Sequence, residues 1–215
     1  MKPNEFLLGV MDFFAIVLPG AIATWVISYH LPDDLAAKLD LSAEGNDAVR
    51  WAAFLVCSYT VGHFVFMLSS RLDTAYDRWR KRTKPRDEDR TYQAARELRK
   101  ALTETLPEGA FTTLKWAKSY ITIHCPQARA EIERLEADQK FFRSLVLIAV
   151  GLAIHFLIGR QGALGVASVG MAILSFSRYC EQRWKMTELT YATAVIFHAT
   201  KPVEKPESPA AVAAD

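Results

Sequence analysis

The apolar and the charged residues of this chain are separated along the sequence, and that separation constrains its fold more than any other feature. The apolar residues gather in stretches 6–31, 48–70 and 141–177, and the charged residues gather in stretch 71–140. At ~1.5 Å per helical residue, each apolar stretch is long enough to cross the ~30 Å hydrocarbon core of a bilayer. Backbone polar groups in lipid must be satisfied within their own segment, which favours helices. The pattern predicts an integral membrane protein with one charged module.

The apolar stretches divide into four predicted membrane helices, at residues 13–31, 48–69, 141–158 and 163–176. Proline removes a backbone donor, so Pro19-Gly20 predicts a kink in the first of them. Gly159 to Gly162 form a predicted tight turn that makes a helical hairpin of the last two. A cleaved signal peptide is the alternative for the first stretch, but Asp12 lies where such peptides are normally free of acidic residues.

The fourth predicted membrane helix is rich in small residues. These are Gly162, Gly165, Ser168, Gly170, Ala172 and Ser175. Small residues let helix backbones approach closely in lipid, where the hydrophobic effect does not drive association. The composition therefore predicts close packing of this helix, either within the chain or between copies.

The distribution of basic residues predicts the orientation of the chain. Loop 32–47 is acidic, whereas residues 71–86 carry seven lysines and arginines, and further basic residues follow the fourth helix. Basic residues near membrane helices stay in the cytoplasm. We therefore expect both termini and the charged module on the cytoplasmic side of the membrane, with Arg160 in the outer turn as the exception.

The charged module is predicted to be helical. Apolar residues recur every three or four positions in 92–106 and in 110–124, although the β-branched residues of the second segment leave a strand open. No helix breaker follows Pro126 until Gly151, which predicts one continuous helix over 127–158. The fourth membrane helix is likewise expected to continue beyond the bilayer.

The sequence thus predicts an all-α fold of four transmembrane helices with a helical cytoplasmic module formed partly by extensions of the membrane helices. Its segments are transmembrane helices 1 and 2 with an acidic outer loop in 1–70, the cytoplasmic module in 71–140, transmembrane helices 3 and 4 in 141–180, a cytoplasmic helix in 181–200 and a disordered tail in 201–215.

The sequence contains no recognised catalytic or metal-binding motif. There is no G-x-S-x-G, P-loop, Rossmann or H-E-x-x-H pattern, and the five histidines and three cysteines are scattered. Adjacent carboxylates at 87–89 predict a solvated face. We therefore predict no enzymatic activity, no cofactor and no metal. An intramembrane enzyme that uses Ser58 with His63 or His155 is the alternative.

A ring of charged residues is expected at the inner ends of the membrane helices. Its members are Asp12, Arg71, Asp73, Lys140, Arg143 and Arg178. One interpretation is that these side chains only anchor the helix ends by extending to the interface. The other is a salt-bridged inner gate, which in an oligomer would line the mouth of a pore.

A basic run with interleaved aromatic residues follows the second membrane helix. Its candidate ligand-binding residues are Arg78, Trp79, Arg80, Lys81, Arg82, Lys84 and Arg86. The run could bind anionic lipid headgroups. Alternatively, its arginines could bind the phosphates of an anionic ligand while Tyr76, Trp79 or Tyr92 stacks on a base.

Three short patterns resemble a known family. They are Asp12-Phe13-Phe14 followed by Leu18-Pro19-Gly20, the run S-S-R-L-D-T-A-Y-D-R at 69–78, and S-R-Y-C-E-Q-R-W-K at 177–185. The chain is similar in these patterns to small four-span bacterial inner-membrane proteins of anti-phage defence systems, in particular the channel effector of the Hailong system. The resemblance implies a homo-oligomeric channel that is closed at rest and opens on a nucleotide signal made by a partner enzyme.

Together these features predict a homo-oligomeric inner-membrane ion channel or pore-forming effector that is gated through its cytoplasmic helices by a nucleotide or nucleic-acid signal. Its expected partners are the lipid bilayer, further copies of the same chain and a nucleotide or oligonucleotide ligand. A non-catalytic membrane scaffold that recruits a soluble partner is the main alternative.

Overall fold

The computed structural model describes residues 13–30, 47–83, 89–104 and 111–200, and all the regular secondary structure in these ranges is helical. The helices are a π-helical segment, Phe13–Val17, that leads directly into α1, Leu18–His30; then α2, Asp47–Ser69; α3, Arg71–Thr83; α4, Arg90–Leu102; α5, Thr113–His124; α6, Pro126–Ile158; and α7, Gly162–Thr200. The tail predicted to be disordered, 201–215, lies outside the described residues.

Three of these helices are long and apolar enough to cross a membrane. They are α2 with its continuation as far as Arg80, α6, and α7. A shorter apolar helix, Phe13–Ser28, accompanies them. The predicted all-helical architecture is therefore confirmed for the described residues, and three of its helices could span a membrane.

Helices α6 and α7 form a long antiparallel hairpin. The predicted continuity of residues 127–158 is confirmed, because α6 runs unbroken for 33 residues from Pro126 at its first turn. Helix α7 is continuous for 39 residues. Between them, Arg160 adopts a left-handed conformation with φ of 55°, and the amide of Gln161 donates to the carbonyl of Phe156 at 2.8 Å.

The first two helices cross at a pair of glycines. A Cβ atom on Gly20 would lie 1.9 Å from the carbonyl oxygen of Ser58, and one on Gly62 would lie 2.2 Å from the carbonyl oxygen of Ile16. Next to Pro19-Gly20, where the sequence predicts a kink, the winding changes from π-helix to α-helix at Leu18. Proline cannot donate to the preceding turn, which favours such a change in winding.

The small residues of α7 face two ways. Gly165, Ser168 and Ser175 are buried, and a Cβ on Gly165 would meet the side chain of Leu157 at 2.7 Å. A Cβ on Gly170, by contrast, would meet nothing within 4 Å. Among the residues that the structure describes, one side of the small-residue surface is used for packing and the other is open.

The other ends of α6 and α7 belong to a separate helical layer, in which α7 packs against α4 and α5, and α6 packs against α5. This layer, which we call the helical module, has its own apolar core, formed by Ala95, Trp116, Ala117, Ile121, Ile132, Leu135, Met186, Tyr191 and Ala194. Segment 113–124, for which the sequence left a strand open, is helical. Helices α6 and α7 are therefore common to the apolar half of the molecule and to the helical module.

The close contact between α1 and α2 can be tested by substitution of Gly20. We expect Gly20→Ala to destabilise the protein by ~1–3 kcal/mol, because the added methyl group must displace the backbone of α2. Gly151→Ala is the matched control, since a Cβ there meets nothing within 4 Å, and alanine also favours the helix. Thermal unfolding in detergent measures both. Equal unfolding temperatures for the two variants would contradict the packing.

Candidate functional site

Helix α3 begins directly after α2, separated from it only by Ser70, and presents two faces of different character. At ~100° per residue, Asp73, Tyr76, Asp77 and Arg80 lie on one side of the helix, and Arg71, Arg78 and Arg82 lie on the opposite side. We call the first the inner face and the second the basic face. The inner face turns towards α6 and α7, whereas the three arginines of the basic face are exposed.

The Asp73 carboxylate on the inner face binds donors from two other helices. One oxygen accepts a hydrogen bond from the Arg143 guanidinium of α6. The other accepts from the Tyr179 hydroxyl of α7 at 2.7 Å and from the Arg183 guanidinium one turn further along α7. Asp73 therefore joins the end of the α2 segment to both long helices.

Asp77 extends this arrangement by one helical turn. Its carboxylate accepts a hydrogen bond from the second terminal nitrogen of Arg183 at 3.0 Å. The Arg183 guanidinium lies over the Tyr76 ring at 5.0 Å, and the Tyr76 and Tyr179 rings meet edge to face at 5.7 Å. We call Asp73, Asp77, Arg143, Tyr179 and Arg183 the Asp73 cluster.

The charges within the Asp73 cluster compensate one another, with two carboxylates against two guanidinium groups. Arg143 is only 4 % exposed and lies 4.7 Å from the centre of the Phe66 ring. A charge in such a position is tolerated because it is paired, and removal of its partner leaves it uncompensated. The cluster thus holds three helices in one arrangement.

The structure brings together two of the residues predicted to form an inner gate, Asp73 and Arg143, and separates the others. Arg71 is exposed on the basic face. Arg178 points away from the cluster and pairs with Glu181 at 2.6 Å. Lys140 pairs with Glu136 at 3.2 Å. Asp12 lies outside the described residues.

Three members of the cluster, Asp77, Tyr179 and Arg183, were not predicted from the sequence as site residues, although the spacing of the residues contains a signal for them. Asp73 and Asp77 are four residues apart, and so are Tyr179 and Arg183, which places each pair on one face of its helix. A pair of acids and a Tyr/Arg pair at this spacing, each just beyond an apolar run, would have predicted a contact between α3 and α7.

The basic run predicted to bind anions is divided by the fold. Arg78, Trp79 and Arg82 are exposed, whereas Arg80 turns inward, with its guanidinium 3.9 Å from the centre of the Trp184 ring and 3.6 Å from Asp89. Arg80 therefore contributes to packing between α3 and α7. Lys84 and Arg86 lie outside the described residues, as does the side chain of Lys81.

Asp89 corrects a prediction of the sequence analysis. The adjacent carboxylates at 87–89 were expected to form a solvated face, but the Asp89 side chain caps α4 by accepting hydrogen bonds from the amides of Thr91 and Tyr92, both at 3.1 Å. An N-cap interaction of this kind stabilises a helix by ~1 kcal/mol. Together with its contact to Arg80, it fixes the start of the helical module relative to α3.

The aromatic residues proposed to stack on a base differ in accessibility. Tyr76 is buried against Tyr179 and Arg183 of the Asp73 cluster, and Tyr92 is half-buried with its ring 5.5 Å from that of Tyr191. Trp79 is 54 % exposed and lies beside the exposed Arg78. Of the three, Trp79 has the position that a stacking residue needs.

The candidate catalytic residues of the alternative intramembrane enzyme, Ser58, His63 and His155, differ in burial. Ser58 is fully buried beside Gly20, and its hydroxyl has no hydrogen-bond partner in the described part of the chain. His63 is exposed and packs on the Tyr59 ring at 4.5 Å, and His155 is exposed on α6. In the ranges that the structure describes, no three His, Cys, Asp or Glu side chains are grouped so that they could hold a metal ion.

Comparisons of the chain with protein families, with curated proteins and with solved structures found no match. The features of this chain that bear on its function are the geometry of α3, the Asp73 cluster and the exposed basic face.

The Asp73 cluster makes a testable prediction. We expect Asp73→Asn to destabilise the protein by ~3 kcal/mol, because the variant keeps the shape of the side chain but leaves Arg143 without a counter-charge. Chemical unfolding in detergent micelles measures the change. Glu97→Gln, an exposed carboxylate on α4, is the control and should change the free energy of unfolding by less than ~0.5 kcal/mol. Similar values for both variants would contradict the structural role of Asp73.

Proposed function

We propose that the protein forms a homo-oligomeric ion channel or pore in the bacterial inner membrane, and that an anionic ligand gates it from the cytoplasmic side. The observation that supports the proposal best is the position of α3. This helix continues from a helix that is long and apolar enough to cross a membrane, its inner face is hydrogen-bonded to α6 and α7, and its basic face is exposed.

The two faces of α3 suggest how binding could be coupled to the membrane helices. A ligand with several negative charges would bind the arginines of the basic face, because guanidinium groups form strong, charge-assisted hydrogen bonds with phosphates. Movement of α3 would change the position of Asp73, whose hydrogen bonds to Arg143 and Tyr179 connect it to both long helices. Both α6 and α7 also contain a segment that is long and apolar enough to span a membrane. A displacement of α3 would therefore be transmitted to the membrane-spanning part of the protein.

In this proposal the chain crosses the membrane four times. The apolar segment from Phe13 to His30 would be the first crossing, since it spans ~27 Å at ~1.5 Å per residue and its glycine contact with α2 aligns it with a membrane-crossing helix. The basic residues that follow α2 favour the cytoplasm for α3 and for the helical module. Both termini would then be cytoplasmic.

A nucleotide or an oligonucleotide is the proposed ligand. The exposed Trp79 next to Arg78 and Arg82 combines a surface for base stacking with two cations for phosphates. This chemistry agrees with the resemblance to channel effectors of anti-phage defence, in which a nucleotide product opens the channel. The protein would then depolarise an infected cell on receipt of that signal.

Current through planar bilayers tests the proposal. The purified protein should conduct after addition of one member of a panel of ribonucleotides, deoxyribonucleotides and short oligonucleotides of each kind. The double variant Arg78→Gln/Arg82→Gln should require at least about tenfold more of that compound, because each charge-assisted hydrogen bond contributes ~1.5–3 kcal/mol. Lys100→Gln, an exposed cation on α4, should leave the response unchanged.

Two results would contradict the proposal. One is the absence of current with every compound while the protein is demonstrably folded in the bilayer. The other is an equal response of the double variant and the native protein, which would remove the basic face from gating. A response to anionic lipid alone, lost in the double variant, would assign the basic face to headgroups.

A further inference from the structure

A cavity lies between α1 and α2, on the side of their glycine contact that is remote from α3. Its volume is about 500 Å³, which falls within the ~300–1,000 Å³ range of small-molecule sites. All of its lining residues belong to α1 or α2, and we call it the α1–α2 cleft. The lining residues that matter most for a ligand are Trp25 of α1 and Asp47, Arg50, Trp51, Phe54 and Cys57 of α2.

The cleft changes from charged to apolar along α2. Asp47 and Arg50 lie in the first turn of the helix, and Phe54 and Cys57 follow at greater depth. From Asp47 to Cys57 the helix rises by ~15 Å, which is half of the ~30 Å hydrocarbon core of a bilayer. The cleft therefore has the length and the polarity gradient of one lipid leaflet.

Below its charged end, the cleft is bordered mainly by carbon atoms. The Ser28 hydroxyl donates to the carbonyl of Trp25 at 2.8 Å, and the Thr24 hydroxyl oxygen is buried. Trp25 is 65 % exposed and Trp51 is 67 % exposed, and the Trp51 ring meets the Phe54 ring edge to face at 6.1 Å. Exposed tryptophan rings favour the boundary between headgroups and hydrocarbon. The two rings thus mark the depth at which a lipid headgroup would end.

The mouth of the cleft carries one charge of each sign. The Arg50 guanidinium lies 3.8 Å from the Asp47 carboxylate, and the two side chains are 43 % and 89 % exposed. A long contact between exposed groups contributes little to stability, so both groups remain available to a ligand. Guanidinium groups form strong hydrogen bonds with phosphates, and carboxylates with ammonium groups. The pair is therefore complementary to a headgroup in which a phosphate and a primary ammonium are joined by a short link.

We propose that the α1–α2 cleft binds a zwitterionic phospholipid of the phosphatidylethanolamine class. The phosphate binds Arg50, the ammonium group binds Asp47, and one acyl chain lies along α2 towards Cys57. This inference goes beyond the proposed function: it requires that α1 and α2 cross the membrane, but neither conduction nor a nucleotide. In the proposed orientation the lipid belongs to the outer leaflet, on the opposite side of the membrane from the basic face of α3.

Native mass spectrometry of the full-length, delipidated protein tests the ligand. Phosphatidylethanolamine should bind at least about tenfold more tightly than phosphatidylglycerol, which lacks the ammonium group. It should exceed phosphatidylcholine by a similar factor, because a methylated ammonium has no N–H to donate to Asp47. Glycerophosphoethanolamine, the same headgroup without acyl chains, should not bind at these concentrations, which distinguishes a lipid from a free phosphate.

Two substitutions assign the headgroup contacts. Arg50→Gln should weaken phosphatidylethanolamine at least about tenfold, because it removes the charge-assisted bonds to the phosphate. Arg160→Gln, which changes an exposed arginine in the turn between α6 and α7, is the matched control and should bind as the native protein does. Asp47→Asn should lower the preference for phosphatidylethanolamine over phosphatidylglycerol, a change in specificity that a merely structural role of Asp47 would not produce.

Alkylation of Cys57 by a maleimide tests the location of the lipid. Cys57 is exposed and lines the cleft, and the variant carries serine in place of Cys125 and Cys180. Phosphatidylethanolamine at ten times its dissociation constant should slow the reaction about tenfold, because only the unoccupied fraction reacts. Val56→Cys in a background that also carries Cys57→Ser is the control, since Val56 is exposed outside the cleft, and its rate should not change.

The outcomes distinguish this site from its alternatives. Equal affinities for the three lipids, or equal alkylation rates of Cys57 with and without lipid, would overturn the proposal. A preference for phosphatidylglycerol would also overturn it, because the role given to Asp47 would then be wrong. Protection of Cys57 in the lipid-free protein would assign the cleft to another segment of the chain or to a second copy. None of these measurements depends on conduction, so a failure here is distinguishable from a failure of the channel proposal.

Discussion

The arrangement of the helices depends on the carboxylate of Asp73, which lies just beyond the apolar helix α2 and accepts hydrogen bonds from Arg143, Tyr179 and Arg183. Two guanidinium groups would repel each other at this point without an acid between them. Because α6 and α7 contribute to the apolar half and to the helical module alike, a contact that fixes α3 on them fixes both parts of the molecule. The second acid, Asp77, completes the balance of charge.

The two faces of the short helix α3 have different roles. The inner face of α3 carries the acids that hold the long helices, while its basic face remains open to solvent or to lipid headgroups. Arg80, which the sequence places among the ligand-binding cations, belongs to the inner side through its contacts with Trp184 and Asp89. A ligand on the basic face and the membrane helices would therefore communicate through α3 itself, over a distance of one helix diameter, ~10 Å.

Local features of the structure could be predicted from the sequence, whereas long-range pairings could not. The continuity of α6 follows from the absence of a helix breaker between Pro126 and Gly151. The glycines at 159 and 162 indicated the position of the hairpin turn, although its left-handed residue is Arg160. The partners of Asp73 lie 70 to 110 residues away, so their identity depends on how α3 packs, which periodicity alone does not determine. Asp89 is an intermediate case: an Asp immediately before an amphipathic helical segment is a known N-cap signal, but its acidic neighbours at 87–88 made it resemble a solvated run.

A double-mutant cycle between Asp73 and Arg143 tests the central claim most directly. The free energies of unfolding of Asp73→Asn, Arg143→Gln and the double variant are compared with that of the native protein in detergent micelles. If the pair holds α3 to α6, the two changes will be coupled by at least ~1.5 kcal/mol, because the loss of one partner removes most of the effect of losing the other. Additive effects within ~0.3 kcal/mol would show that the two groups act independently and would contradict the account.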